Sequence, residues 1–385
     1  MTLPVNIEEL KQVARDFAVR EVAPLAQRLD VSDEEIPPSL IAKMSEMGFF
    51  GILGPEDFGG LGYGALGVAV VSEELSRISL SVGSLPARNW MCGHILLNSG
   101  TQAQKEKYLS QLLTGKLQTA SAGTEPEAGS DAANIKTTAI PSGDKYVLNG
   151  TKMWCTFANR ADILFTYCRT SKEQKHGGIS LLMVEKTPGD AFAPPHLTGQ
   201  RIRTVGYHGM NTYQLFFDGF SVSADNLVGG VEGQGFKQLM KGYEMVRVQF
   251  AFRCIGLAQA AYEAALDYAK QRIQFGQPIA KYQAIRSKLS DMAAEIEAAR
   301  QLGYFAATKV DRGERADLEA GLAKLFASEM AQRVCREAVQ IHGGNGFAYE
   351  HPVNRFWRDS ALLTIGEGTS EIQREVIARR ILGER

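Results

Sequence analysis

QIHGGNGFAYEHPVNRFWRDSALLTIGEGTSEIQREVIARR, Gln340–Arg380, is the stretch around which the chain is organised. It holds two small-residue turns, GGNG at Gly343–Gly346 and GEGTS at Gly366–Ser370. The first ends a helical pattern covering Leu318–Ile341 in the manner of a glycine C-cap. The second carries a carboxylate, Glu367, immediately before a further helix. Read alone, Glu367 joins Glu371 and Glu375 in an i, i+4, i+8 acidic row, normally a solvated face. Whether it does chemistry depends on what the rest of the chain brings to it.

Two more long helical patterns lie upstream. Phe236, Met240, Tyr243, Phe250, Leu257, Ala261 and Tyr268 recur at 3–4 residue spacing. QFGQP at Gln274–Pro278 breaks that run, and a second helix is expected from Ile279 to about Lys309. Long helices with short breaks indicate an up-and-down bundle. Between Thr119 and Phe220 the texture differs: KYVLNGTKMWCTF, ADILFTYCRT, GISLLMVEK and YQLFFDGFSV are rich in β-branched and aromatic residues and are punctuated by turn formers, as in an antiparallel sheet domain. The first third is helical again. Asn6 is placed to cap a helix with apolar Leu10, Val13 and Phe17, and Pro37 and Pro38 open one over Ser39–Met47. Helices are also expected at Ala65–Arg77 and, amphipathically, at Gln102–Leu113. The fold class is thus α+β multi-domain, with a helical domain at 1–118, a β domain at 119–228 and a helical bundle at 229–385.

The chain has 385 residues and a net charge of −1, with both signs interspersed. That argues against nucleic acid or an anionic membrane as partner. No apolar run is long enough to span a bilayer. Cys92, Cys155, Cys168, Cys254 and Cys335 fit neither a zinc site nor a CxxC pair, so they are expected to be reduced, buried thiols in a cytoplasmic protein. The six histidines form no ligand motif, so no metal is expected.

One GxGxxG match, Gly62–Gly67, lacks a βαβ context and reads as a loop entering a helix. No Walker loop or GxSxG elbow occurs. TEPEAGSD, Thr124–Asp131, offers hydroxyls and successive backbone N–H groups to a diphosphate or polar ring edge, but equally suits an ordinary polar loop. In KMWCTF, Lys152–Phe157, strand periodicity sets Trp154 and Thr156 on one face. An indole beside a hydroxyl suits a flat heteroaromatic ring; the plainer alternative is a core tryptophan.

Taken together and in this order, TEPEAGSD, KMWCTF, RIQFGQPIAKYQAI, QIHGGNGF and IGEGTSEIQ make the chain similar, end to end, to the acyl-CoA dehydrogenase family. The resemblance implies N-terminal helices, a central β domain and a C-terminal four-helix bundle. It implies FAD as cofactor, a homotetramer built as a dimer of dimers, an acyl-CoA substrate and electron-transfer flavoprotein as electron acceptor. Glu367 stands at the position of the base that removes the α proton while flavin N5 takes the β hydride, giving a trans-2-enoyl thioester. A minority of the family carries its base on the first bundle helix, where this chain has Val246. By the same resemblance Ser121, Thr124, Gly129, Ser130, Trp154, Cys155 and Thr156 surround the flavin, with Thr369 and Glu371 following the catalytic turn. Arg272, Gln274, Phe275, Gln340, Gly343 and Gly344 reach the cofactor of a neighbouring subunit, and Tyr282 and Gln283 are further implied cofactor-binding residues. Ser130, Glu244, Arg247 and Arg379 are the implied CoA contacts.

The chain departs from that pattern in four places. Glu127 replaces a usual glycine in the flavin loop. Gly366 stands where short- and medium-chain relatives often carry tyrosine. Phe250, Phe252 and Arg253 occupy a stretch that is usually small and aliphatic. Arg88 falls near the bottom of the acyl pocket, where it is either a surface arginine or the partner of a polar or carboxylate acyl end. Other outcomes on the same fold are an oxidase, an enoyl-CoA reductase or a dehydrogenase for carrier-protein-bound acyl groups. A reading of another class is a non-enzymatic helical interaction protein.

Overall fold

The structure, a computed structural model, describes residues 2–171 and 176–384. The N-terminal helices are α1 (Val5–Phe17), α2 (Ala23–Ser32), α3 (Pro38–Glu46), α4 (Gly64–Ile78), α5 (Leu80–Ser99), α6 (Gln102–Gln104) and α7 (Ser110–Leu113). Single π-helical turns join α1 to α2 and α6 to α7. In α1 the buried stripe is Ile7, Leu10, Ala14 and Phe17. The expected Val13 lies on the exposed side, and Pro4 rather than Asn6 is the N-cap. The glycine-rich approach to α4 has no strand before it. Instead the Asp311 carboxylate accepts from the N–H groups of Ala65 at 2.5 Å and Leu66 at 3.0 Å. An acid from the bundle thus occupies the positive end of that helix.

The strands are β1 (Thr119–Ala122), β2 (Thr138–Ser142), β3 (Lys145–Thr156), β4 (Ile163–Arg169), β5 (Ile179–Glu185), β6 (Leu197–Ile202) and β7 (Thr212–Ser223). β2–β3, β3–β7, β6–β7 and β4–β5 pair antiparallel, as expected. β1 runs parallel to β4 along its length, and β2 touches β4 in the same sense. The parallel pair arises because the chain leaves β1 through the TEPEAGSD loop and the β2–β3 hairpin before returning as β4. Strand composition does not report that detour. β3 contains a bulge between Lys152 and Cys155, with one more residue than its partner between Leu215 and Tyr213.

The rest is helical: α8 (Gly235–Gln271), a small hairpin of β8 (Ile273–Gln274) and β9 (Gln277–Pro278), α9 (Gln283–Asp311), α10 (Asp317–His342), α11 (Pro352–Ser360) and α12 (Ser370–Ile381). α11 had no counterpart in the sequence reading, because nine residues make too short a periodic run to stand out. One apolar core runs continuously through α1–α5 and the bundle. A second fills the sheet interior, and a third lies between α5–α7 and strands β4 and β5. No described helix is long and apolar enough to cross a membrane. All five cysteines are free and buried.

Candidate active site

The GEGTS turn joins α11 to α12. Glu367 adopts φ +55, a left-handed conformation that strains a non-glycine residue, and Gly368 follows at φ +88. Several contacts hold the turn in place. Thr369 caps α12 by accepting from the Ile372 N–H at 3.3 Å. Gln373 Nε2 donates to the carbonyls of Glu367 and Gly368, each at 3.3 Å. Lys324, fully buried on α10, donates to the Gly368 carbonyl at 2.8 Å. Among the described residues the Glu367 N–H finds no protein acceptor, so it is free to donate to a ligand.

The Glu367 charge acts on four buried or half-buried groups, Tyr167, Tyr243, Arg247 and Lys324. Burial and the Glu367 charge push the Tyr243 hydroxyl up to about 12. Burial drives the Tyr167 hydroxyl well above the usual phenol range, with Cys92, Tyr243 and Glu367 adding to the effect. Among the described residues that hydroxyl has no hydrogen-bond partner. Arg247 and Lys324 bring positive charge to the same place, and burial lowers the pKa of each. Arg247 is buried with its Nε unpartnered and its guanidinium over the Tyr243 ring. Glu244, one turn away from Val248 and beside Arg247, is held above the ordinary carboxylate range by burial. Val246 is buried. Arg379 instead pairs with Glu375 at 2.7 Å on an exposed face. Its neighbour Arg380 turns inward, to Asp317 at 2.6 Å. Glu371 is exposed, and its pKa is lowered by its own backbone N–H and by Thr369.

The β domain supplies an open ledge. Trp154 adopts φ +59 and is 55% exposed, so it is not a core residue. The bulge turns the indole outward while Cys155 stays buried. Thr156 shares the open side, its hydroxyl 3.0 Å from that of Thr212. The TEPEAGSD loop is tied to this ledge by the Met153 N–H, which donates to the Thr124 carbonyl at 2.8 Å. Ser121 and Thr124 are half-buried, and Gly129 and Ser130 are exposed, with open space beside Gly129.

Beneath the loop lies an ion pair that the sequence reading missed. Lys152 and Glu125, both buried, are 2.8 Å apart. Glu125 also accepts from the N–H groups of Lys136 and Thr137, and Lys152 donates to the Gly123 carbonyl at 3.1 Å. Burial raises the Glu125 pKa, but Lys152 and the N–H donors outweigh it and leave the carboxyl below its usual range. The available signal was Lys152 falling within a strand, beside Met153, Trp154 and Cys155. Glu127 points to solvent and pairs with Lys136.

Arg88 is half-buried on α5. It donates to the Ser84 carbonyl at 2.9 Å and approaches the Thr156 carbonyl at 3.5 Å, so it stands directly behind the ledge. The bulky stretch of α8 divides its side chains. Phe252 packs on Tyr304 and on Gly303, where an added Cβ would lie 2.8 Å from the ring. Phe250 lies against Gly366, where an added Cβ would touch its ring at 3.5 Å. The space left by glycine at 366 is therefore bounded by an aromatic from α8. Arg253 reaches past Phe250 to the Tyr207 hydroxyl at 3.3 Å.

A second exposed cluster gathers at the far ends of α8 and α10. Phe275 is 95% exposed at the tip of the β8–β9 hairpin, whose Gln274 carbonyl accepts from the Tyr282 hydroxyl at 2.8 Å. Arg272, Gln274, Gln283, Gln340, Gly343 and Gly344 are solvent-facing or nearly so. Stacking of Tyr268 on His342 keeps the two helix ends side by side.

Family models of the acyl-CoA dehydrogenase N-terminal, middle and C-terminal domains match residues 6–116, 120–220 and 233–382. The chain is 44% identical over 384 residues to a (2S)-methylsuccinyl-CoA dehydrogenase of Cereibacter sphaeroides, covering 99% of this chain and 70% of that one. It is 43% identical over 376 residues to an acyl-CoA dehydrogenase of Bacillus subtilis, covering 97% of each. The butyryl-CoA dehydrogenase structure from Megasphaera elsdenii superposes with a TM-score of 0.94 at 35% identity over 99% of both chains.

Proposed function

The chain belongs to the acyl-CoA dehydrogenase family of FAD-dependent oxidoreductases, and from that footing we propose that it oxidises a short or modest-length acyl-CoA to the trans-2-enoyl-CoA, with Glu367 as the base. The observation that carries this reading is the setting of Glu367. It is a carboxylate held in a strained turn that Lys324 and Gln373 grip, its charge felt by Tyr167, Tyr243, Arg247 and Lys324, with no ion-pair partner among the described residues.

The residues present fit a flavin. An outward indole on a bulged strand offers a flat apolar surface, Thr156 a hydroxyl beside it, and the loop the N–H groups of Gly129 and Ser130, which have no acceptor among the described residues. Bound FAD supplies the two-electron acceptor for the β hydrogen. The protein's task is then to aim the thioester and take the proton. A proton α to a thioester is weakly acidic, so the carbonyl must be polarised as the proton leaves. The free Glu367 N–H provides one donor to that carbonyl, and its side chain accepts the proton. Lys324 and Gln373 keep both groups of the same residue in register. Arg247 and Glu244 border the thioester side, and Ser130 the pantetheine. Electron-transfer flavoprotein is the proposed acceptor. Assembly as a homotetramer would cover Phe275, Gln340, Gly343, Gly344 and Phe347, which are exposed on one chain.

The test is Glu367→Gln. The purified variant is expected to retain FAD, while an acyl-CoA that bleaches the wild-type flavin leaves its absorbance unchanged. Normal bleaching would remove Glu367 from this role.

A further inference from the structure

Two guanidinium groups are set around Tyr207: Arg253, stacked on the Phe250 ring that lies against Gly366, and Arg88, which approaches the Thr156 carbonyl. Arg253, only 4% exposed, points its Nη2 at the Tyr207 hydroxyl. Arg88, held by the Ser84 carbonyl, arrives from the other side, and the Ser84 hydroxyl itself bonds to Tyr207. Tyr207 is fixed from behind. It sits in a left-handed conformation, and its N–H donates to the buried Asp359 carboxylate at 2.6 Å.

Among the described residues neither guanidinium has a carboxylate within ion-pairing distance, and the Arg253 Nε has no hydrogen-bond partner at all. The Phe250 ring beneath Arg253, 4.8 Å from the cation, supplies a π face but no acceptor. A charge removed from water without a counter-charge is costly, and arginines are rarely buried alone. The local field already favours an anion. Burial raises the pKa of the Tyr207 hydroxyl, yet Arg253 and Arg88 outweigh it and leave the group below its ordinary range.

We infer that Arg253 and Arg88, bridged by the Tyr207 hydroxyl, form a receptor for a carboxylate at the far end of the acyl chain, so that the substrate class is a short dicarboxylic acyl-CoA. This rests on the proposed function only in taking the space beside Glu367 as the acyl site. Arg253 is the specificity-determining residue: its unpartnered Nε completes a two-pronged grip on a carboxylate oxygen pair. A methyl-ended acyl chain leaves Arg253 buried and Arg88 half-buried with no counter-charge among the described residues. That asymmetry gives the site a means of rejecting the monocarboxylic acyl group of equal length.

The experiment uses FAD-loaded Glu367→Gln protein, so that binding is read apart from chemistry, with calorimetric titration of two matched pairs: succinyl-CoA against butyryl-CoA and glutaryl-CoA against pentanoyl-CoA. In at least one pair the dicarboxylic thioester is expected to bind about ten-fold tighter or better. Adding Arg253→Gln is expected to remove about that preference while changing the monocarboxylic affinity by less than about two-fold, with Arg253→Lys restoring part of it. Equal binding within both pairs, or a loss from Arg253→Gln shared alike by both members, overturns the inference. If Arg253→Gln does not fold, Tyr207→Phe decides the matter. A lost preference supports the bridged receptor, and a fully retained one overturns it. Bleaching of the Glu367→Gln flavin would count against the base and not against this receptor.

Discussion

The Nζ of Lys324 lies 2.8 Å from the carbonyl oxygen of Gly368, so a fully buried cation on α10 grips the turn that presents Glu367. The same ammonium sits 5.2 Å from the Phe250 ring centre. One side chain therefore ties the proposed base to the aromatic that bounds the space beside Gly366. Replacing it with methionine keeps the aliphatic stem and deletes the donor. A charge-assisted hydrogen bond of this kind contributes about 1.5–3 kcal/mol. Lys324→Met is accordingly expected to lower kcat/KM by about 10–100-fold with FAD retained, as read by steady-state kinetics and flavin content. An unchanged kcat/KM would show that the turn holds its shape unaided.

The Lys152–Glu125 pair predicts an asymmetry. Lys152→Met leaves Glu125 buried without its counter-ion, a change that typically costs about 3–5 kcal/mol. The Lys152→Met/Glu125→Gln double variant is expected to recover a large part of that loss. Denaturant titration of both checks it, and equal stability of the single and double variants would contradict the role given to the pair.

His208 is expected to make stability depend on alkaline pH. Its bond to the Asp30 carboxylate, opposed by burial and helped by the Asp30 and Thr204 carbonyls, raises its pKa from 6.5 to about 9. A raised folded pKa means that the stabilisation is complete below the unfolded value of about 6.5 and is lost as pH rises through about 9. With Asp30 buried and the His208 side chain 17% exposed, the effect is on the order of 1–3 kcal/mol. Thermal melts of wild type and His208→Gln between pH 6 and 9.5 test it. The wild-type advantage should shrink across that window, and a constant difference would reject the assignment.

Trp154 separates stability from cofactor binding. Its left-handed backbone conformation costs about 1 kcal/mol or more in a non-glycine residue, whereas glycine adopts it freely. Trp154→Gly is expected to leave the FAD-free protein within about 1 kcal/mol of wild type. Loss of the exposed indole is expected to weaken FAD binding by about ten-fold or more. Flavin titration beside denaturation curves resolves the two effects, and unchanged FAD affinity would place the ring elsewhere.

The sequence by itself determined the periodic parts of this protein. The stripes of α8, α9 and α10, the proline-opened α3, the glycine stop at Gly343 and the alternating strands of β3 and β7 follow from local spacing and turn chemistry. So does the position of Glu367 in a turn before a helix. Local rules report such features because they depend on residues within a few positions of each other. Only the tertiary structure decided which charged groups meet. Lys324 and Gly368 are 44 residues apart, Lys152 and Glu125 27, and Tyr207 and Arg253 46. The parallel seating of β1 on β4 and the outward turn of Trp154 were settled in the same way. The physical reason is that burial makes a lone charge costly over any sequence distance. Its partner is therefore chosen by the packing of helices and sheet against one another, and no spacing along the chain records that choice.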